Sequence, residues 1–219
     1  MNAKNCTLIV LSLLVLSLSS LFFINKLYAM ETDPAMNKFV TKKVKIKCRH
    51  EYALDEAERS SLREILSECF PECFSDRIFY KQLPTMRLLA FYEKRLVGQL
   101  GIDHRVISAN GLPHQIFGVV DLCVTRTFRG EGIGTLLLTA LEVLAGKHEI
   151  YHLIAFADHH ELYKKLGYEQ VNAKCRFLAI EDLSSHSVIE RDESKILLIK
   201  SYKPVDFTDK TIDLLGHLF

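Results

Sequence analysis

The chain alternates between stretches with a period of two and stretches with a period near three and a half. Lys43-Val44-Lys45-Ile46-Lys47-Cys48 alternates charged and apolar residues, which predicts a strand with one wet face. Asp55, with Glu58 three residues on, has the capping-box pattern, and Leu62, Ile65, Leu66 and Cys69 follow as a helical stripe that Pro71 stops. Arg87 to Tyr92 and Leu96 to Val106 read as strands joined by Glu93-Lys94-Arg95. Asn110-Gly111 is a turn signal before Gln115 to Val124, whose apolar run predicts a strand buried on both faces. Together they predict an antiparallel meander.

Ile133 to Ala145 carries Leu136, Leu137, Ala140, Leu141 and Leu144 on one side, with Gly146 at a C-cap position. Tyr151 to Ala157 reads as a short buried strand. Asp158 is placed to cap a helix from His159 to Leu166, closed by Gly167. Tyr168 to Val171, Phe177 to Ile180 and Ile196 to Ile199 read as further strands. The order β, α, β, β, β, α, β, α, β defines an α/β chain with a mixed, mostly antiparallel sheet flanked by helices.

The N-terminus follows neither period. Thr7 to Ile24 is apolar apart from serines and a threonine and carries no charge, a length at the short end for crossing a bilayer. Three readings stand side by side. The positive residues after the run (Lys26, Lys38, Lys42, Lys43, Lys45, Lys47 and Arg49) favour a signal-anchor helix with the rest of the chain in the cytoplasm. Leu27-Tyr28-Ala29 resembles a cleavage site, as in a signal peptide. Translation from Met30 or Met36 would give a soluble cytoplasmic protein. The expected organisation is a hydrophobic segment at 1–29, a linker at 30–42, one catalytic-size domain at 43–203 and a tail at 204–219 packed on it.

Composition changes this picture little. An apolar content of 48%, a charged content of 25% and a net charge of +1 describe an ordinary globular domain without a basic stripe for nucleic acid. The six cysteines show no disulfide framework. Cys69 and Cys73 lack a second pair at metal-site spacing, and His159 and His160 lack a third ligand, so no metal is expected.

The chemistry concentrates in Val119 to Gly134, a strand running through a short turn into a glycine-opened helix. Such a turn offers backbone N–H groups and the positive end of a helix dipole to an anion, and Arg129 adds a cation. The spacing of Gly130, Gly132 and Gly134 does not fit the dinucleotide fingerprint. No lysine follows Gly134, which excludes a P-loop.

Arg129-Gly130-Glu131-Gly132-Ile133-Gly134 resembles the Arg/Gln-x-x-Gly-x-Gly/Ala acetyl-CoA motif of the GCN5-related N-acetyltransferase (GNAT) superfamily. Leu162-Tyr163-Lys164-Lys165-Leu166-Gly167-Tyr168 is similar to a second element of that superfamily, Leu-Tyr-x-Lys-x-Gly-Phe. The resemblance covers about Lys43 to Val171. Pro84 to Ala90 and Thr211 to Gly216 further resemble a bacterial branch that includes nodulation protein A acyltransferases and aminoglycoside 2′-N-acetyltransferases.

The resemblance implies a GNAT fold and acetyl-CoA as co-substrate, with direct attack of an acceptor's primary amine on the thioester. The pantetheine arm would lie on the main chain of Leu122, Cys123 and Val124. The pyrophosphate would lie on Arg129, Gly130, Glu131, Gly132, Ile133 and Gly134. Tyr163 would be the general acid that protonates the departing thiolate, and its position in the second motif carries that role. Asp121, on the motif strand, is the candidate general base, with Asp103 and His104 as further candidates. Many superfamily members have an asparagine ahead of the helix tyrosine; here the segment is Phe156-Ala157-Asp158-His159-His160-Glu161. A longer-chain acyl donor with a membrane-proximal acceptor, or an acyl-CoA sensor without catalysis, are the alternatives.

Overall fold

The computed structural model describes residues 43–74, 76–205, 207 and 211–219. The apolar run Thr7–Ile24, and with it the expected N-terminal helix, lies outside the described residues. Among the described residues no helix is long and apolar enough to cross a membrane.

The strands are β1 (Val44–His50), β2 (Met86–Tyr92), β3 (Arg95–Ala109), β4 (Leu112–Val124), β5 (His152–Phe156), β6 (Glu169–Gln170), β7 (Lys174–Glu181), β8 (Ser184–Asp192), β9 (Leu197–Ser201) and β10 (Thr211–His217). The α-helices are α1 (Glu56–Cys69), α2 (Ile133–Lys147) and α3 (Glu161–Lys165). The ten strands among the described residues all join one mixed sheet. Its main path runs β6-β9-β5-β4-β3-β10-β7-β8, and β1 and β2 continue from the other part of β3. The length of β3 makes the branch: Arg95 to Ile102 pairs with β2, and Ser108 and Ala109 pair with β10.

β2 shows how the sheet divides the core. Leu88 and Ala90 face α2, packing in a cluster with Leu137, Leu138, Leu141 and Ala145. Leu89, between them, faces the other way, with Leu62, Ile65 and Leu66 of α1. Gly98 lets α2 come close to β3: a Cβ there would stand 3.0 Å from Ile133 Cγ2 and 3.2 Å from the Cys123 carbonyl oxygen. On the α1 face a further cluster, built on Ile107, Ile116, Ile154, Cys175, Phe177 and Ile212, fills the curl made by β7 and β10.

The capping box forms as the sequence predicts. The Asp55 carboxylate accepts from the Glu58 N–H at 2.8 Å, and the Glu58 carboxylate accepts from the Asp55 N–H at 3.4 Å. The β2–β3–β4 meander also forms, with antiparallel pairing throughout.

Other expectations need correction. Gly146 does not cap α2; the helix continues to Lys147, and the left-handed residue after it is Glu149, at φ 56°. Asp158 does not cap α3, which starts at Glu161 behind His160 with no side-chain cap. Ser184–Asp192, for which the sequence pattern predicts no element, is the edge strand β8. Thr211–His217, in the stretch expected to pack on the domain as a tail, lies inside the sheet between β3 and β7.

Candidate active site

The site is built where β4 parts from β5. The two strands pair in parallel from Ile116↔His152 to Val119↔Ala155 and no further, although β4 runs on to Val124. Beyond Val119 that edge of β4 has no neighbouring strand among the described residues. A strand edge of this kind presents main-chain donors and acceptors to an extended ligand. Leu122, Cys123 and Val124 occupy this stretch. Leu122 and Val124 side chains are partly buried toward α2, while Cys123 is buried toward α1.

The splay coincides with an irregularity in β4. Gln99 pairs with Cys123 and Gly101 with Val120, so β4 carries one extra residue between them. Asp121 sits in this bulge with φ +49°, a left-handed conformation unusual for a non-glycine residue. Burial pushes its carboxyl up to about 6, against the nearby charges of Arg87 and Lys81, which pull it down.

After β4 the chain makes a 3-10 turn at Arg126–Phe128 and then the glycine loop. Gly130 and Gly132 adopt φ +80° and +82°, with Gly132 as the N-cap of α2. The first-turn N–H groups, Ile133 to Thr135, have no acceptor within the helix by its geometry and face a groove. That groove is lined by Val124, Phe128, the glycines, Thr135, Leu162 and Lys165. Arg129 lines it too. Its side chain turns back on the strand, donating from Nε to the Val124 carbonyl oxygen at 3.1 Å and approaching the Cys69 sulfur from Nη2 at 3.8 Å. Arg129 therefore ties the loop to the ends of β4 and α1 as well as supplying charge. Lys165 and Thr135 were not singled out in the sequence, although Lys165 fills the lysine position of the second motif.

Tyr163 is on α3, which forms one wall of the groove through Glu161, Leu162 and Lys165. It is almost fully buried, meets the Tyr168 ring edge-on at 5.3 Å, and burial pushes its phenol up to about 12. The buried Lys200 fixes this short helix. Its ammonium donates to Glu142 of α2 at 2.6 Å and to the Leu166 carbonyl at the end of α3. Asp158 and His159, ahead of α3, are exposed.

A smaller cleft opens on the α1 face of the sheet. Tyr80, Lys81, Val120, Asp121, His217 and Phe219 line it. Lys81 donates to the Leu218 carbonyl at 3.1 Å, and burial lowers its ammonium from the usual range. Asp103 is bound to Arg105, which also donates to the His217 carbonyl at 2.8 Å. Asp103 is thus engaged in an ion pair. His104 is exposed and packs edge-on against Phe117. Burial and the Arg105 charge hold His217 down to about 4, so it is a neutral ring. Of the three acid–base candidates on β3 and β4, Asp121 is the one that lines this cleft. Lys81, Tyr80 and His217 were invisible in the sequence, because no periodicity links a loop residue and a terminal strand to β4. No group of three His, Cys, Asp or Glu side chains among the described residues is arranged to hold a metal ion.

Comparison with known proteins agrees with this arrangement. The fold is similar to that of a GNAT family N-acetyltransferase (YhbS) from Escherichia coli, solved in complex with CoA. The TM-score is 0.55 at 14% identity, over 78% of this chain and 89% of that one. It is also similar to Escherichia coli ElaA, with a TM-score of 0.51 at 17% identity over 72% and 99% of the two chains. For a GCN5-related N-acetyltransferase from Anabaena variabilis the TM-score is 0.51 at 20% identity, over 60% of this chain but 34% of that longer one. At these identities the likeness is one of fold. Residues 59–168, from α1 through the splayed strand, the glycine loop and α3, match the acetyltransferase (GNAT) family. The chain belongs to the acetyltransferase (GNAT) family.

Proposed function

We propose that this chain transfers an acetyl group from acetyl-CoA to a primary amine of a small acceptor. The observation that carries this reading is the end of β4–β5 pairing at Val119↔Ala155, with a left-handed Asp121 and a glycine-opened helix immediately beyond it. The free edge at Leu122–Val124 would hold the pantetheine arm by main-chain hydrogen bonds. The loop from Arg129 to Gly134 would hold the diphosphate, with Lys165 opposite. The acceptor would enter through the cleft that Asp121 lines. The bacterial branch suggested by Pro84–Ala90 and Thr211–Gly216 remains part of this proposal.

The reaction then follows from two acids, the half-buried Asp121 and the buried Tyr163. An alkylammonium has a pKa near 10 and must lose a proton before it can attack. Asp121, ionised above about pH 6, accepts that proton. The amine nitrogen bonds to the thioester carbon, the carbon–sulfur bond breaks, and the nitrogen, now carrying the acetyl group, releases a second proton to solvent to give the neutral amide. Tyr163, whose phenol stays neutral up to about 12, gives its proton to the departing thiolate. Release of free CoA thiol on incubation with acetyl-CoA and a panel of primary amines tests the reading; no amine-dependent release would refute it.

The apolar run Thr7–Ile24 and the lysines after it favour a second form of the proposal, in which the enzyme is anchored with this domain in the cytoplasm and takes a longer acyl donor. Competition by palmitoyl-CoA against acetyl-CoA, and a salt-resistant membrane pellet on fractionation, would support that form. A soluble full-length product would exclude it.

A further inference from the structure

The reaction as proposed makes no use of the most polar part of the sheet interior. Arg87 on β2 and Gln99 on β3 are both completely buried. Arg87 donates from Nε to Glu51 at 2.7 Å, from Nη2 to the Ile78 carbonyl at 2.6 Å, and from Nη1 to the Gln99 side-chain oxygen at 3.1 Å. Guanidinium is a donor only, so the Gln99 amide must turn its oxygen to Arg87 and its NH2 away. That NH2 donates to the main-chain carbonyl of Asp121. The amide orientation is therefore dictated from one side and spent on the other.

Asp121 is the residue that needs such a contact. Its left-handed backbone in the bulge is strained and persists only where the surroundings over-determine it. Arg87 is held at three points, by Glu51, the Ile78 carbonyl and Gln99. Gln99 couples Arg87 to the one peptide of β4 that departs from regular pairing.

We propose that Gln99 is a positioning residue for the acid–base step: through Arg87 and Glu51 it sets the bulge in β4 and thereby the aim of the Asp121 carboxylate. This rests on the reading of Asp121 as the general base. Gln99 itself touches neither acceptor nor thioester in this account.

Gln99→Glu separates the two ends of the contact. The new carboxylate still accepts from Arg87 but cannot donate to the Asp121 carbonyl. Gln99→Met, of similar volume, removes both ends and is run in parallel in case one variant fails to fold. The full chain is used, and two quantities are read. The first is the titration midpoint of the Asp121 carboxyl, followed by carbon-detected NMR without any substrate. The second is the pH profile of turnover with saturating acetyl-CoA. The expected result in Gln99→Glu is an upward move of the Asp121 midpoint by about one pH unit or more. Turnover in both variants falls about tenfold or more, the acidic limb in Gln99→Glu moves with the midpoint, and KM for acetyl-CoA is unchanged. An Asp121 midpoint and pH profile like those of the parent, with only a lower melting temperature, would overturn the proposal. Asp121→Asn distinguishes the two failures. If that variant keeps its turnover and acidic limb, the base reading falls, while the NMR midpoint still decides whether Gln99 controls Asp121.

Discussion

The guanidinium of Arg129 lies 3.8 Å from the sulfur of Cys69, linking the glycine loop to the last residue of α1 across 60 positions of sequence. The Cys69 thiol also approaches the Val124 carbonyl at 3.5 Å. A hydrogen bond from Cys123, helped by the Arg129 charge and opposed by burial, lowers the Cys69 thiol to about 7. The thiolate is the reactive form, so alkylation of Cys69 by iodoacetamide should rise as pH passes through about 7. Burial raises the Cys48 thiol instead, so it should react only at higher pH. Acetyl-CoA should slow the reaction at Cys69, because its diphosphate draws on the same guanidinium. Peptide mass mapping reads both effects; a Cys69 that reacts no earlier than Cys48, or is indifferent to acetyl-CoA, contradicts them.

Asp121 should trade stability for function. Its folded pKa, about 6, lies above its unfolded value. Folding therefore favours the protonated form. The penalty is absent below the unfolded pKa, grows as pH rises, and is complete above about 6. Asp121→Asn should thus melt higher than the parent at pH 8, by up to about 3 kcal/mol of added stability, and show little difference near pH 4. Asparagine also tolerates the left-handed backbone. Turnover at pH 8 should fall about a hundredfold or more. A variant that is less stable at pH 8, or fully active, would count against the role.

Tyr163→Phe keeps the ring that meets Tyr168 and removes only the proton donor. Turnover should fall about a hundredfold, with KM for acetyl-CoA and the melting temperature nearly unchanged. Turnover and a pH profile equal to the parent's would remove Tyr163 from the mechanism.

Gly130 is a clean test of the loop backbone. A Cβ there would meet nothing within 4 Å, yet the residue has φ +80°. Gly130→Ala therefore acts through backbone strain alone, at about 1–2 kcal/mol. Relieving that strain turns the loop's N–H groups away from the groove, so acetyl-CoA affinity should drop severalfold while the rest of the fold is kept. Unchanged affinity by titration calorimetry would show that the loop conformation is not what binds.

The parts of this molecule that sequence reveals are the local ones. The Asp55–Glu58 box, the β2–β3–β4 meander and the turn at Gly130–Gly132 each depend on residues a few positions apart, so their patterns survive in the linear chain. β8 escaped because nearly every side chain on it is exposed, which leaves no alternation to read. β10 escaped because its partners, Cys175 in parallel and Ala109 in antiparallel pairing, lie far away in the chain. The candidate site divides the same way. Asp121 and Tyr163 can be picked out on their elements, but the bulge that turns Asp121 left-handed depends on register with β3. Arg87 and Gln99, a charged and a polar residue, give no hint in sequence that they are fully buried; only their mutual pairing with Glu51 and the Asp121 carbonyl makes that burial tolerable.

In the proposed reaction the free edge of β4 and the loop at Arg129–Gly134 form an acetyl-CoA site. Titration calorimetry of acetyl-CoA into the protein tests it most directly. Binding should be saturable, to one site, with Kd of order micromolar, and should be lost for the most part in Arg129→Glu. An absence of saturable binding to the parent protein, or affinity undiminished by Arg129→Glu, would contradict it.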